Sequence, residues 1–319
     1  MSKYRNSLPQ MNGTYFLSDS GLETTMVFHE GLELPCFAAF TLLDSEDGRE
    51  RLTRYFDRHL AIALRRGMGF ILDTPTWRAN PDWAAKLGVS SAELDRINRD
   101  SVAFAEATRA RYETEATPIV INGVFGPRGD GYRPETMMTG EEARSYHRRQ
   151  MECFAEAGVD MVSAITMTHA GEAIGIAQAA QEAGLPVVVS FTVETDGRLP
   201  SGQTLAEAIA ETDRETGGAP AYYMVNCAHP DHFRDRLEGG SDWMQRIRGI
   251  RANASRLSHA ELDEATELDD GNPLELAADY AALRALHPQV TVFGGCCGTD
   301  HRHIEEISAA VAKAHRAAA

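Results

Sequence analysis

Eight short apolar runs, each leading into a polar or glycine-containing turn and then a helical pattern, restrict this chain more than any other feature. The runs lie at 15–18, 70–72, 117–121, 158–162, 186–191, 222–227, 247–250 and 290–293. Between them apolar residues recur in steps of three and four, as at Leu52, Tyr55, Phe56, Leu60 and Leu64, which predicts a helix over 47–66 stopped by Gly67. Further helices are expected over 83–87, over 91–112 with Ser91 as cap, over 139–157, 170–183, 201–211, 232–237 and 272–286, and from His303 onward. Strict alternation of this kind demands parallel strands joined by right-handed crossovers. Eight such units close most economically into one (β/α)8 TIM barrel, a fold of about 250 residues plus insertions, for which the 319 residues suffice. A single barrel domain over 1–319 is therefore expected, with 1–13 as an N-terminal arm and the acidic stretch 261–270 as a solvated excursion.

In such a barrel the loops after the strands open on one face, the C-terminal one, and chemistry belongs there. The eighth run delivers Gly294-Gly295-Cys296-Cys297-Gly298 to that face. Neighbouring side chains on a regular strand point to opposite sides, so two adjacent thiols meet one partner only where the backbone turns, and glycine permits the turn. The pair alone allows a vicinal disulfide, a reactive dithiol or two ligands of a soft metal. The sixth run, Tyr222-Tyr223-Met224-Val225-Asn226-Cys227, adds a third thiol to the same face, and Asp19 and Glu23 follow the first. Three thiolates with one open position form a catalytic zinc arrangement, which favours Zn2+ held by Cys227, Cys296 and Cys297.

A net charge of -16 argues against nucleic acid or an anionic membrane as partner, since both need clustered basic residues. Lysine occurs only at Lys3, Lys86 and Lys313, none of them placed for Schiff-base chemistry. No apolar run reaches 18 residues and the first residues lead into polar sequence, so a cytoplasmic protein is expected. In a reducing compartment five cysteines point to metal or catalysis rather than a disulfide framework, with Cys36 and Cys153 read as packing residues. A homo-oligomer is compatible with the chain.

The segments Leu-Ser-Asp-Ser-Gly-Leu-Glu-Thr (17–24), Val-Asn-Cys (225–227) and Gly-Gly-Cys-Cys-Gly-Thr (294–299) resemble the homocysteine S-methyltransferase family, which includes betaine- and S-methylmethionine-dependent members. The likeness runs nearly end to end, with Asn122-Gly123, Gly126-Pro127, Gly158-Val159-Asp160, Ser190-Phe191-Thr192 and Ser201-Gly202 also in place. It implies the barrel, a zinc ion on the three cysteines, and homocysteine as a thiol acceptor that completes the coordination. The bound thiolate would attack a methyl group on positive sulfur or nitrogen, so no side-chain base is needed.

Two departures from the family pattern matter. Asp19-Ser20-Gly21 stands where Asp-Gly-Gly or Asp-Gly-Ala is usual, with Glu23 in place of a glycine, and Ala164-Ile165-Thr166 replaces a Phe-Glu-Thr whose glutamate helps hold the acceptor's ammonium. Glu23 is expected to supply the missing carboxylate beside Asp19, with Ser20, Gly21 and Thr24 completing that loop. Thr76, Asn122 and Asn226 end strands and are read as pocket-lining. Trp77, with Phe28, Phe37 and Tyr132, offers aromatic faces to a methylated cationic donor. The favoured reading is thus a zinc methyltransferase making methionine from homocysteine. The alternatives are a catabolic demethylase of an unusual betaine or sulfonium with a different thiol acceptor, and a non-catalytic zinc or redox dithiol protein.

Overall fold

The computed structural model describes residues 2–134, 137–237 and 241–318. Eight parallel strands close into a barrel in chain order: β1 (Phe16–Leu17), β2 (Gly69–Asp73), β3 (Ile119–Phe125), β4 (Met161–Met167), β5 (Val187–Phe191), β6 (Pro220–Asn226), β7 (Ile247–Ala252) and β8 (Val292–Gly295). Phe16 lies opposite Gly69 on one side and Val292 on the other, which closes the ring. A helix follows each strand: α1 (Glu46–Arg66), α2 (Ser91–Tyr112), α3 (Gly140–Ala157), α4 (Ala170–Glu182), α5 (Leu205–Thr216), the single turn α6 (Pro230–Phe233), α7 (Pro273–Leu286) and α8 (His301–Ala318). The protein is the (β/α)8 barrel that the alternation predicts. Among the described residues no helix is long and apolar enough to cross a membrane.

Two apolar layers hold it together. Outside, strand and helix side chains such as Phe56, Phe154, Phe191 and Phe293 form the main core. Inside, Phe16, Ile71, Val120, Val188, Tyr222 and Val292 fill the barrel. The N-terminal arm packs Tyr4, Leu8 and Met11 against this inner cluster, and the backbone amides of Lys3 and Tyr4 donate to Asp160 Oδ1 at 2.7 and 2.8 Å. Asp160 is fully buried and also takes Arg109, so the arm covers the N-terminal end of the barrel on a paired charge. Access is left to the other end.

Several boundaries differ from the sequence expectation. β3 continues through Asn122 and Gly123, and β7 continues to Arg251 and Ala252, because Asn122 and Arg251 both bond to Asp73 of β2 inside the barrel instead of ending the strand. β4 begins only at Met161, since Gly158 (φ 92°) is the left-handed C-cap of α3. Helix α2 is capped by Ser90, not Ser91: Ser90 Oγ accepts from the Glu93 amide while the Glu93 carboxylate takes the Ser90 amide. Helix α5 starts four residues later than expected, at Leu205, on a like box of Thr204 and Glu207. The 261–270 stretch is not a free excursion. It contains part of a short helix, His259–Glu264, and leans over the barrel mouth.

Candidate metal centre and substrate cavity

The cysteines are brought together by three strand ends. Cys227 leaves β6 with φ 54°, a conformation costly for a non-glycine residue, and its backbone is heavily tied. Its amide donates to the Arg251 carbonyl, and its own carbonyl receives Asn253 Nδ2 (3.1 Å) and His259 Nε2 (2.7 Å). After β8, Cys296 is fixed by its amide to the Ala252 carbonyl and by Thr299 Oγ1 on its own carbonyl (2.7 Å). Gly298 (φ 77°) completes the turn, with its amide on Thr24 Oγ1 at 3.3 Å. A side chain at Gly21 would strike the Cys296 carbonyl at 2.7 Å, so glycine there lets the first loop close against the cysteine turn.

The three sulfur atoms lie within 4.8 Å of one another. Cys227 and Cys296 are paired as a disulfide across the two strand ends, not vicinally, and Cys297 remains a thiol 3.9 Å from Cys227 Sγ. Tyr132 donates its hydroxyl to Cys297 Sγ at 3.3 Å and stacks on His259, with ring centroids 4.1 Å apart. Burial pushes the Cys297 thiol pKa up, opposed by that hydrogen bond. The set suits a soft divalent ion: sulfurs at about 2.3 Å from a tetrahedral zinc stand about 3.8 Å apart, close to the Cys227–Cys297 separation. Reduction of the Cys227–Cys296 pair would leave all three sulfurs free to act as ligands. A second cluster, His229, Asp231 and Asp279, has its carboxylates already neutralised by Arg234 and Arg256.

A cavity of about 520 Å3 opens over the thiols. Of the expected residues, Asp19, Ser20, Gly21, Glu23, Thr24 and Trp77 line it, as do Phe28, Phe37 and Tyr132. Cys36, read from sequence as packing, lines it too, whereas Cys153 is buried under the helices as expected. Thr76 and Asn122 do not line it. Thr76 Oγ1 is spent on the Val124 carbonyl (2.8 Å), and Asn122 bridges Asp73 Oδ1 (2.6 Å) and Ser163 Oγ (2.9 Å) inside the barrel. Asn226 acts one step back. It receives the Thr166 amide (3.0 Å), donates to Thr166 Oγ1 (2.8 Å), and so locks that β-branched residue at φ 65°, with its Nδ2 also 3.9 Å from Cys296 Sγ.

Two arginines escaped the sequence reading. Arg251, on β7, pairs with both Asp19 and Asp73 and reaches the Gly295 carbonyl (3.3 Å). Asp19 is thereby engaged, with Tyr55 also on its carboxylate (3.2 Å), instead of standing free for an ammonium. Burial, against the pull of Arg251, pushes Asp19 up to about 7. The Ser20 hydroxyl is similarly taken, by His59 Nε2 at 2.8 Å; burial lowers His59 to about 4, so the ring is neutral and accepts that bond. Glu23 is a carboxylate of the first loop left at the cavity wall without an ion pair among the described residues, its pKa raised by burial and lowered by its own backbone amide and by Arg78. Arg78 is the second missed residue, on the turn after β2. A lone arginine inside a polar strand exit carries no sequence signal, because its hydrogen-bond partners lie 44 to 232 positions away.

Fold and site together define a (β/α)8 barrel with three cysteine sulfurs gathered at its C-terminal mouth. The sequence model of the family described as homocysteine S-methyltransferase matches residues 29–311, and the chain belongs to that family. It is thus an enzyme of methyl transfer. The chain is similar to homocysteine S-methyltransferase YbgG of Bacillus subtilis (24% identical, 74% of this chain and 77% of that one) and to homocysteine S-methyltransferase of Escherichia coli (26%, 74% and 78%). Among solved structures it resembles the E. coli homocysteine methyltransferase MmuM in its oxidized form, with TM-score 0.75, 19% identity, and 95% of this chain and 98% of that one covered. The metallated form of MmuM gives 0.70, with 19% identity and 93% and 97% covered. At these identities the structural likeness speaks for the fold.

Proposed function

We propose that this protein is a zinc-dependent methyltransferase that moves a methyl group from a sulfonium or quaternary ammonium donor to the thiol of homocysteine. The observation that carries the reading is the convergence of Cys227, Cys296 and Cys297 at the floor of a cavity large enough for both reactants. Zinc on those three thiolates would supply acidity to an incoming thiol, which is otherwise mostly protonated at neutral pH.

The remaining work falls to the chain's own residues. The new S–C bond forms as the donor's C–S or C–N bond breaks, and the positive charge leaves the donor atom, so the departing group is neutral and needs no acid. Glu23 would pair with the acceptor's ammonium, Asp19 being held by Arg251. The rings of Phe28 and Phe37, each 41% exposed, would receive the donor cation at the rim. Tyr132 orients Cys297, and the His259–Glu264 helix and the residues after it wall the cavity off from water. Cytoplasmic location and methionine biosynthesis belong to this same reading.

The test is a methyl-transfer screen: reduced, zinc-loaded protein with homocysteine and S-methylmethionine, S-adenosylmethionine, dimethylsulfoniopropionate or betaines, methionine being read by mass spectrometry. Methionine from one donor, lost in Cys297→Ala, is expected. Turnover with other thiols but not homocysteine would move the reading to a demethylase with a different acceptor. The Cys227–Cys296 pair favours one further reading, a redox dithiol protein; any thiol-dependent methyl transfer by the reduced form excludes it.

A further inference from the structure

We propose that Arg78 is the carboxylate-binding residue of this cavity, holding the anionic end of a zwitterionic substrate whose reacting atom lies at the thiol cluster. The inference rests on the methyl-transfer reading and deepens it by fixing the charge pattern of the substrate. Arg78 is only 7% exposed. Its guanidinium carbon lies 4.1 Å from the centroid of Trp77 and 3.8 Å from that of Trp83, so two indoles set the plane of the group. Yet its edges are poorly used. Nη1 donates to the Gly129 carbonyl at 3.0 Å, Nη2 stands 3.8 Å from Asp130, and Nε has no partner among the described residues.

A guanidinium carries five N–H donors, and a buried cation with so few bonds is costly unless a further anion meets it. Burial accordingly lowers its pKa. Arg251 makes the contrast, with two carboxylates and a carbonyl. Among the described residues Arg78 forms its ion pair with Asp130, and Glu23, on the same cavity wall, acts on it only from beyond ion-pair distance. Both charges line the same cavity as Cys227, Cys296 and Cys297. A carboxylate and a guanidinium that share one cavity wall without a direct ion pair complement a zwitterion: its positive end toward Glu23, its carboxylate toward Arg78. The planar fork of arginine matches a carboxylate bidentately.

That carboxylate belongs either to the acceptor or to a carboxylated donor, and one experiment separates the sources. Two of the three tryptophans flank the guanidinium, so tryptophan fluorescence reads binding without turnover. Reduced, zinc-loaded protein is titrated with homocysteine against 3-aminopropane-1-thiol, which lacks the carboxylate, and with glycine betaine against tetramethylammonium. Wild type should prefer the carboxylated member of one pair by roughly 30-fold or more. Arg78→Met should abolish that preference by weakening this member alone, and Arg78→Lys should restore part of it. Arg78→Gln, which keeps a planar group between the indoles, serves should the Met variant fail to fold. Equal affinities within both pairs in wild type, or a variant that weakens both members alike as loss of a stacking spacer would, overturns the role. Methionine formation followed in parallel reports on methyl transfer separately: turnover without carboxylate preference sinks the role of Arg78 and leaves the reaction standing.

Discussion

At the scale of single residues the cavity is governed by which charges are already spent. Arg251 serves two buried carboxylates, and removing it strands both. Arg251→Met should cost about 3–5 kcal/mol at pH 8. The sign of its pH dependence follows from Asp19, whose pKa goes from an ordinary 3.8 up to about 7 on folding. Between those values the unfolded chain ionises Asp19 first, so wild type loses stability as pH rises through that window. The variant should lose more, and the gap between the two melting temperatures should shrink from pH 8 to pH 5. A gap that widens on acidification would contradict the assignment. Glu23 gives a second test. Its pKa is raised by burial, so homocysteine binding should weaken as pH falls through that raised value. Glu23→Gln should flatten the profile and weaken binding about 10- to 100-fold by calorimetry, and unchanged affinity would remove Glu23 from the site.

At the scale of elements, what was legible followed local rules and what was not followed long-range pairing. The glycine stop of α1 at Gly67 and the Thr139 and Glu142 box of α3 lie within a few residues of their partners, so the chain announces them. Ser90 and Ser91 are adjacent serines, and only the Glu93 spacing separates them: three residues from the cap fits Ser90. Ser90→Ala should therefore destabilise by about 1 kcal/mol and Ser91→Ala by much less, as urea midpoints would show; equal effects would mean the box does not matter. The polar strand ends were harder. Asn122, Arg251 and Asp73 look like turn residues in a linear chain, and become strand only because a barrel interior lets them bond across 49 to 178 positions. The 261–270 stretch, whose helix begins at His259, misled for the same reason. Its acidity suggested solvent, but His259 reaches back to the Cys227 carbonyl and Asp263 pairs with Arg133 of the loop after β3. His259→Ala should loosen this cover, raising amide exchange over 255–270 while leaving the strands protected.

At the scale of the whole molecule, the barrel is what makes the centre possible. Cys227 and Cys296 are 69 positions apart in sequence, yet parallel closure sets their strand ends side by side with Cα atoms 5.4 Å apart. Convergence could be read from the alternation alone, because every β-to-α loop of such a barrel opens on one face. Which two thiols would pair could not, since that depends on where each backbone turns. A zinc ion on these cysteines, as proposed, would link metal binding, folding stability and redox state. Zinc needs all three sulfurs as thiolates, and the Cys227–Cys296 bond withholds two of them. A ligand that binds only the folded state stabilises it by about 2.7 kcal/mol at a hundredfold excess over Kd, which for a chain of this length is a rise of a few degrees in Tm. Reduced protein should show that rise on adding zinc and lose it to a chelator, whereas the disulfide form should melt at one temperature with or without zinc. Equal zinc shifts in both forms would place the metal elsewhere than on these three cysteines.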